Sequence, residues 1–172
     1  MRRNTSFQLY AWTLFLGAFV FGTSLAQQGE LRNRMEPHEN LTTSGQPNLD
    51  SLESLAESGY TTIIDLRRPE ESRGIDEQAA VEGLGMSYIN LPVDGANGIN
   101  YENAAALNRF LSGANGPVLV HCGSGNRAGA LLALTEKLNG ADNEAALAFG
   151  REAGLTGLEP TVRERLENPG TE

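Results

Sequence analysis

The stretch Val118-Leu119-Val120-His121-Cys122-Gly123-Ser124-Gly125-Asn126-Arg127-Ala128-Gly129-Ala130 constrains this chain more than any other. Pro117 introduces an apolar run that ends at the chain's single cysteine. A glycine-rich turn follows, then an arginine, then a stretch to Leu138 with few polar residues. By period and breakers this is a buried strand, a tight loop and a buried helix. The loop amides and the helix N-terminus then converge on Cys122, forming a pocket for an anion. The same field favours thiolate over thiol. Arg127 adds a planar fork of donors suited to phosphate, sulfate or a thiosulfonate. A free cysteine by itself is often only a small buried hydrophobe. The combination of His121, Cys122, the loop glycines and Arg127 at fixed spacing marks a site. Gly123, Ser124, Gly125, Asn126 and Arg127 are the expected anion-binding residues.

A chain of 172 residues with 40% hydrophobic content supports one domain with a sizeable core. Residues 1–26 read as a signal peptide rather than part of it. Arg2 and Arg3 form a basic start, Leu9 to Gly22 an apolar run, and Ser24-Leu25-Ala26 a small-residue cleavage site. That run is short beside the roughly 20 residues of a membrane-spanning helix, and an uncleaved anchor is the alternative. The expected location is therefore periplasmic or secreted. The formal charge is −9. Taking Arg2 and Arg3 from the 13 basic residues leaves 11 against 22 acidic ones, a mature charge of −11. Nucleic acid and anionic membranes are poor partners for such a surface. In an oxidising compartment a lone thiol is a liability that Ala or Ser would avoid, so Cys122 leans toward chemistry.

Along the chain, residues 27–34 read as a disordered lead-in, 35–167 as the domain and 168–172 as a tail. Met35 to Thr43 is expected to give an edge strand and Ser44-Gly45-Gln46-Pro47 a turn. Asp50 and Glu53 suggest a capping box for a helix ending at Gly59. Thr61–Leu66 and Ser87–Val93 read as strands. Helices are expected from about Asp76 to Leu84, after Asn100, after Asp142, and from Glu159-Pro160. Strands separated by helices imply parallel crossovers, hence an α/β fold with a central, mostly parallel sheet flanked by helices. The pocket then lies at the carboxyl ends of the strands.

His121-Cys122 through Arg127 resembles the catalytic loop of the cysteine-dependent phosphatases, especially the compact dual-specificity branch. The wider chain resembles the phosphatase-like domain of the beta-lactamase hydrolase-like proteins. The likeness covers Ser44-Gly45-Gln46-Pro47, Tyr60 to Leu66, Leu91-Pro92-Val93-Asp94-Gly95, the loop and Leu158-Glu159-Pro160. It implies a phosphatase working through a phosphocysteine, with Cys122 as nucleophile, Arg127 as phosphate clamp and Asp94 as general acid; the signal peptide makes it an exported one.

Two features keep other chemistries open. Four residues, not the five usual in phosphatases, separate Cys122 from Arg127, and Ala128 stands where Ser or Thr usually assists the departing thiolate. The shorter loop matches rhodanese-type sulfurtransferases, which carry sulfur as a cysteine persulfide. Asp65-Leu66-Arg67-Arg68-Pro69-Glu70-Glu71 resembles their first conserved block, although no Gly-His-Ile segment follows it. A non-catalytic module that binds anions or phosphoproteins is the third reading.

Asp94 lies in an Asp-Gly turn, whose chemistry alone would also explain it. Asp65, at a strand end, either contacts the loop or caps a turn. His121 points away from Cys122 by strand alternation and is expected to hydrogen-bond and shape the loop. Arg67 and Arg68 either widen the anion site or are solvated, and His38 reads as surface. One cysteine and two distant histidines show no metal-ligand spacing, so no metal or other cofactor is expected. The expected partner is a phosphorylated or otherwise anionic small substrate, or a phosphoprotein.

Overall fold

The computed structural model describes residues 29–169. The expected signal peptide, Gln27, Gln28 and residues 170–172 lie outside the described residues.

Among the described residues, five short strands form one sheet: β1 (Met35–His38), β2 (Leu41–Ser44), β3 (Thr62–Asp65), β4 (Ser87–Asn90) and β5 (Val118–His121). Their order is β1-β2-β5-β3-β4, and only the β1–β2 pairing is antiparallel. The described residues also form six helices around it: α1 (Leu49–Glu57), α2 (Glu77–Gly83), α3 (Tyr101–Gly113), α4 (Asn126–Leu138), α5 (Asn143–Glu152) and α6 (Glu159–Glu167). This is the expected mostly parallel α/β architecture. Met35 to Thr43 holds two strands rather than one, because Glu39-Asn40 turns the chain, with Asn40 at φ 64°.

Alternation along the central strands sorts the core into two layers. Ile64, Leu66, Val118, Val120 and Cys122 are buried against the α3–α6 side, with Leu107, Leu131, Leu147, Val162 and Leu166. Ile63 and Leu119 face the other way, onto Leu52, Leu55 and Val81 of α1 and α2. Helix α4 is buried from Ala128 through Thr135, as a helix apolar on all sides must be. Truncating a wholly buried leucine there, such as Leu131, would cost about 2–5 kcal/mol.

Asp76, Asn100 and Asp142 each cap a helix through the side chain, at the expected positions. Helix α1 differs. Its cap is Asn48, whose Oδ1 accepts from the Ser51 amide at 2.8 Å, so Asp50 and Glu53 lie inside the helix and form no capping box. The lead-in differs too. From Gly29 onward it is packed on the domain, with Leu31 buried beside Leu52 and Leu55.

Candidate active site

The site forms where β5 ends. Val118 to Val120 are buried, and the strand delivers Cys122 to the head of α4 with only 1% of its surface exposed. Gly125 turns the chain into the helix at φ 92°, a left-handed conformation that favours glycine. Its amide donates to Cys122 Sγ at 3.1 Å. The expected convergence of loop amide and helix start upon sulfur is therefore present. Asn126, the first residue of α4, turns outward; its Oδ1 accepts from the Thr156 amide at 2.8 Å and ties the loop before α6 to the site.

Arg127 is fixed from behind. Its Nη1 and Nη2 each lie 2.7 Å from an oxygen of Glu71, a two-pronged pairing. Nη1 also donates to the Val93 carbonyl at 3.0 Å. The bond from Arg127, with its charge and the Arg68 amide, outweighs burial and holds the Glu71 carboxyl far below its usual range, at about 2. Arg127 is pushed up in turn, first by Glu71. With these donors committed, the Nε/Nη2 edge remains for an anion. Nη2 sits on the loop side, where a Cβ on Gly123 would come within 3.7 Å of it.

Asp94 follows the Val93 carbonyl that Arg127 holds, which places it at the rim. It is over half exposed, and its Oδ1 accepts from Arg68 Nη1 at 2.7 Å. Arg67 is not solvated. It donates to Gln46 and to the Ser72 carbonyl, and its Nε lies 3.4 Å from Glu71. His38 is exposed, as expected.

Asp65 and His121, register partners on β3 and β5, face the opposite side of the sheet from Cys122. Asp65 is fully buried and caps the following turn: Oδ1 accepts from the Arg67 amide at 2.8 Å. Its Oδ2 accepts from Arg73 Nε at 2.6 Å and from the Tyr88 hydroxyl at 2.8 Å. Burial pushes the Tyr88 hydroxyl up, and the Asp65 carboxylate adds to this. The expectation that the His121 side chain hydrogen-bonds the loop is corrected. Its Nε2 lies 2.8 Å from Glu77 Oε1, off the line that a directed bond requires, and its ring makes no hydrogen bond to the loop. Burial alone would raise Glu77, but His121, Gln46 and Arg73 reverse this and hold it lowered.

Asp65, Glu77 and His121 bring candidate ligand atoms within 4.8 Å of one another, a grouping that sequence spacing did not reveal. Both Asp65 oxygens already accept protein donors, and Glu77 Oε2 accepts from Gln46 Nε2 at 2.8 Å. Arg73 supplies the cation, with Nη2 2.6 Å from Asp65. The cluster fits a buried ion-pair support beneath the sheet better than a metal centre.

Glu77 and Arg73 belong to no sequence motif, nor do Arg32 and Asn33 of the lead-in, and Glu71 stands only at the end of the Asp65–Glu71 block. Arg32 Nη2 donates to the Gly123 carbonyl, and Asn33 Nδ2 donates to the Ser124 carbonyl at 3.0 Å. The only available signal was an unusual density of Arg and Glu around Arg67–Arg73.

Residues 35–139 match the family model described as beta-lactamase hydrolase-like protein, phosphatase-like domain. A beta-lactamase hydrolase-like protein of Xylella fastidiosa is 40% identical over 107 residues, covering 60% of this chain and 25% of that protein. The chain thus spans about a quarter of the length of the curated relatives it matches. Among solved structures, a candidate phosphatase from Neisseria meningitidis is 26% identical with a TM-score of 0.66, covering 78% of this chain and 96% of that one. The catalytic core of the PP-IP phosphatase Siw14 from S. cerevisiae shares the fold at 21% identity and a TM-score of 0.59, covering 80% of this chain and 85% of that one.

Proposed function

We propose, from the premise that this chain belongs to the phosphatase-like domain family of the beta-lactamase hydrolase-like proteins, that it is a phosphatase whose nucleophile is Cys122. The observation that carries this reading is the geometry of one pair. Cys122 Sγ takes the Gly125 amide, while Glu71 and the Val93 carbonyl turn the remaining edge of Arg127 toward the loop.

In the proposed reaction a phosphate monoester sits with its oxygens on the loop amides and on Arg127 Nε and Nη2. The Cys122 thiolate forms an S–P bond as the ester P–O bond breaks, and Asp94 gives its proton to the leaving oxygen. Water then forms a new P–O bond, its proton passes to Asp94, and the S–P bond breaks to return thiolate and inorganic phosphate. Asp94 Oδ1 accepts from Arg68 Nη1, so that pair must open before Asp94 can serve the leaving oxygen. Both side chains are over a third exposed, so the pair is worth little and opens readily. Arg68, whose Nε stays 3.2 Å from Glu70, can then turn Nη1 toward the substrate's anionic side. Ala128 is buried and has no hydroxyl to offer the returning thiolate, which the Gly125 amide receives.

Sulfur transfer is the competing chemistry, favoured by the four-residue spacing between Cys122 and Arg127. An assay of the mature protein with an aryl phosphate, beside one with thiosulfate plus cyanide, separates the two. Phosphatase function predicts turnover of the ester alone and its loss in Cys122→Ser. Retained binding without turnover of either compound would instead mean a binding module. We also place the protein outside the cytoplasm, on the basic start, short apolar run and Ser-Leu-Ala ending of residues 1–26. Intact mass of exported protein tests this, with cleavage after Ala26 expected.

A further inference from the structure

We propose that Arg32 and Asn33 are positioning residues that hold the anion cradle in its working orientation by gripping the outer carbonyls of the loop. Its kinetic consequence rests on the phosphatase reading; its effect on anion binding does not.

A trans peptide points its C=O and its N–H in opposite directions, and no peptide among the described residues is cis. Fixing the Ser124 carbonyl outward therefore fixes the Gly125 amide inward, where it meets Cys122 Sγ at 3.1 Å. Fixing the Gly123 carbonyl on Arg32 likewise turns the Ser124 amide away from Arg32, toward the inside of the loop. Glycines flank Ser124 on both sides, so these two peptides lie in the most rotatable part of the loop. A flipped peptide would present a carbonyl to the anion in place of a donor. Ser124 is exposed, and water could satisfy its carbonyl. What the two side chains add is direction.

The brace is itself well anchored. The Gly45 amide donates to the Arg32 carbonyl at 2.8 Å, and Gly45 pairs with Ser124 in an isolated antiparallel bridge. A Cβ at Gly45 would lie 3.0 Å from Arg32 Nε and 3.2 Å from the Gly123 carbonyl, so a methyl there would push the brace and the loop apart by a few tenths of an ångström. Asn33 stands at φ 54°, a left-handed conformation uncommon outside glycine. Leu31, buried beside Leu52 and Leu55, pins the segment's start.

The test uses the mature protein with Asn33→Gly, Arg32→Ala, Arg32→Lys and the double variant Arg32→Ala/Asn33→Gly. Arg34→Ala, whose side chain pairs with Glu36 at the surface, is the control. The readouts are protection of Cys122 from iodoacetamide by inorganic phosphate, KM and kcat on an aryl phosphate, and Tm. Asn33→Gly removes the grip and relaxes the backbone, so Tm should hold or rise while half-protection needs about tenfold more phosphate, the equivalent of one hydrogen bond. Arg32→Lys should recover part of the loss seen in Arg32→Ala, and Arg34→Ala should change nothing. Unchanged protection in a folded double variant would overturn the proposal, as would a loss that only follows Tm. So would a wild-type protein that phosphate does not protect. A wild type protected by phosphate but inert toward the ester would sink the phosphatase reading and leave the brace standing.

Discussion

Glu71 and Arg127 meet fork to fork, with Nη1 and Nη2 each 2.7 Å from a carboxylate oxygen. The residue that is to clamp the anion is thus itself clamped, by an acid 56 positions earlier in the chain. A guanidinium so held loses little freedom when substrate arrives, and its open edge is aimed before binding. Glu71→Gln removes the charge and one acceptor while keeping the shape. We expect KM for an aryl phosphate to rise about tenfold, a loss of about 1.4 kcal/mol for one charge-assisted bond, with a smaller change in kcat. Equal KM values in steady-state kinetics would show that Arg127 needs no such support.

The same pair fixes a dependence on acid. Glu71 is lowered to about 2 from an ordinary 4.5, so its contribution to stability is complete above about 4.5 and is lost as pH falls toward 2. Wild type should therefore be more stable than Glu71→Gln by a constant margin at neutral pH, and the margin should close between those limits. Urea unfolding of both proteins across that range measures it; a margin that widens on acidification would reverse the assigned sign.

Beneath the sheet, the fully buried Glu77 lies 3.8 Å from the partly buried Arg73 and 2.8 Å from the buried ring of His121. Glu77→Ala leaves Arg73 with one carboxylate partner fewer and the ring of His121 without its nearest one. Breaking a buried pair in this way costs about 3–5 kcal/mol. Loss of stability near that size is expected in denaturant melts. A cost below about 1 kcal/mol, typical of an exposed pair, would mean that water reaches the cluster.

Helices α4 and α5 cross at Gly129 and Gly150. A Cβ on Gly129 would fall 2.2 Å from the Leu155 amide nitrogen and 2.6 Å from the Gly150 carbonyl. Backbone, not a yielding side chain, stands in the way. Gly129→Ala should therefore destabilise by about 1–3 kcal/mol or more through overpacking, although alanine suits a helix better than glycine. Thermal melts decide it, and a raised Tm would mean that the helices separate easily.

Asp94 distinguishes ester hydrolysis from sulfur transfer. The leaving oxygen of an ester develops charge that a positioned acid relieves, whereas sulfite departs readily as a stable anion. Asp94→Asn should lower aryl-phosphate turnover by about 10²–10⁴-fold with little effect on affinity. The loss should shrink as the phenol becomes a better leaving group. Unchanged turnover with a poor leaving group would reduce Asp94 to a turn residue.

The strand, loop and buried helix around Cys122 were legible because a local run of apolar residues, glycines and Arg127 carries them. So were the caps Asn100 and Asp142, whose signal spans one helical turn, and the helix start near Asp76. At α1, Asn48 and Asp50 are both competent caps two positions apart, and only the path after Pro47 selects Asn48. The lead-in was misread because its polarity suggested solvent. Arg32 and Asn33 instead bond loop carbonyls 91 residues away, a distance that no local pattern encodes. Glu71 and Glu77 were hidden for the same reason, since a carboxylate's partner is chosen by topology. His121 was assigned to the correct face by strand alternation, but what waits on that face depends on where α2 packs.

The most direct measurement is the mass of the tryptic peptide carrying Cys122 after acid quench of the mature protein during turnover of an aryl phosphate. We predict the mass of one added phosphoryl group on Cys122, lost in Cys122→Ser and enriched in a variant that slows the second step. Phenol release with no adduct on Cys122, or an adduct of one sulfur atom formed only with thiosulfate, would contradict a phosphatase acting through this cysteine.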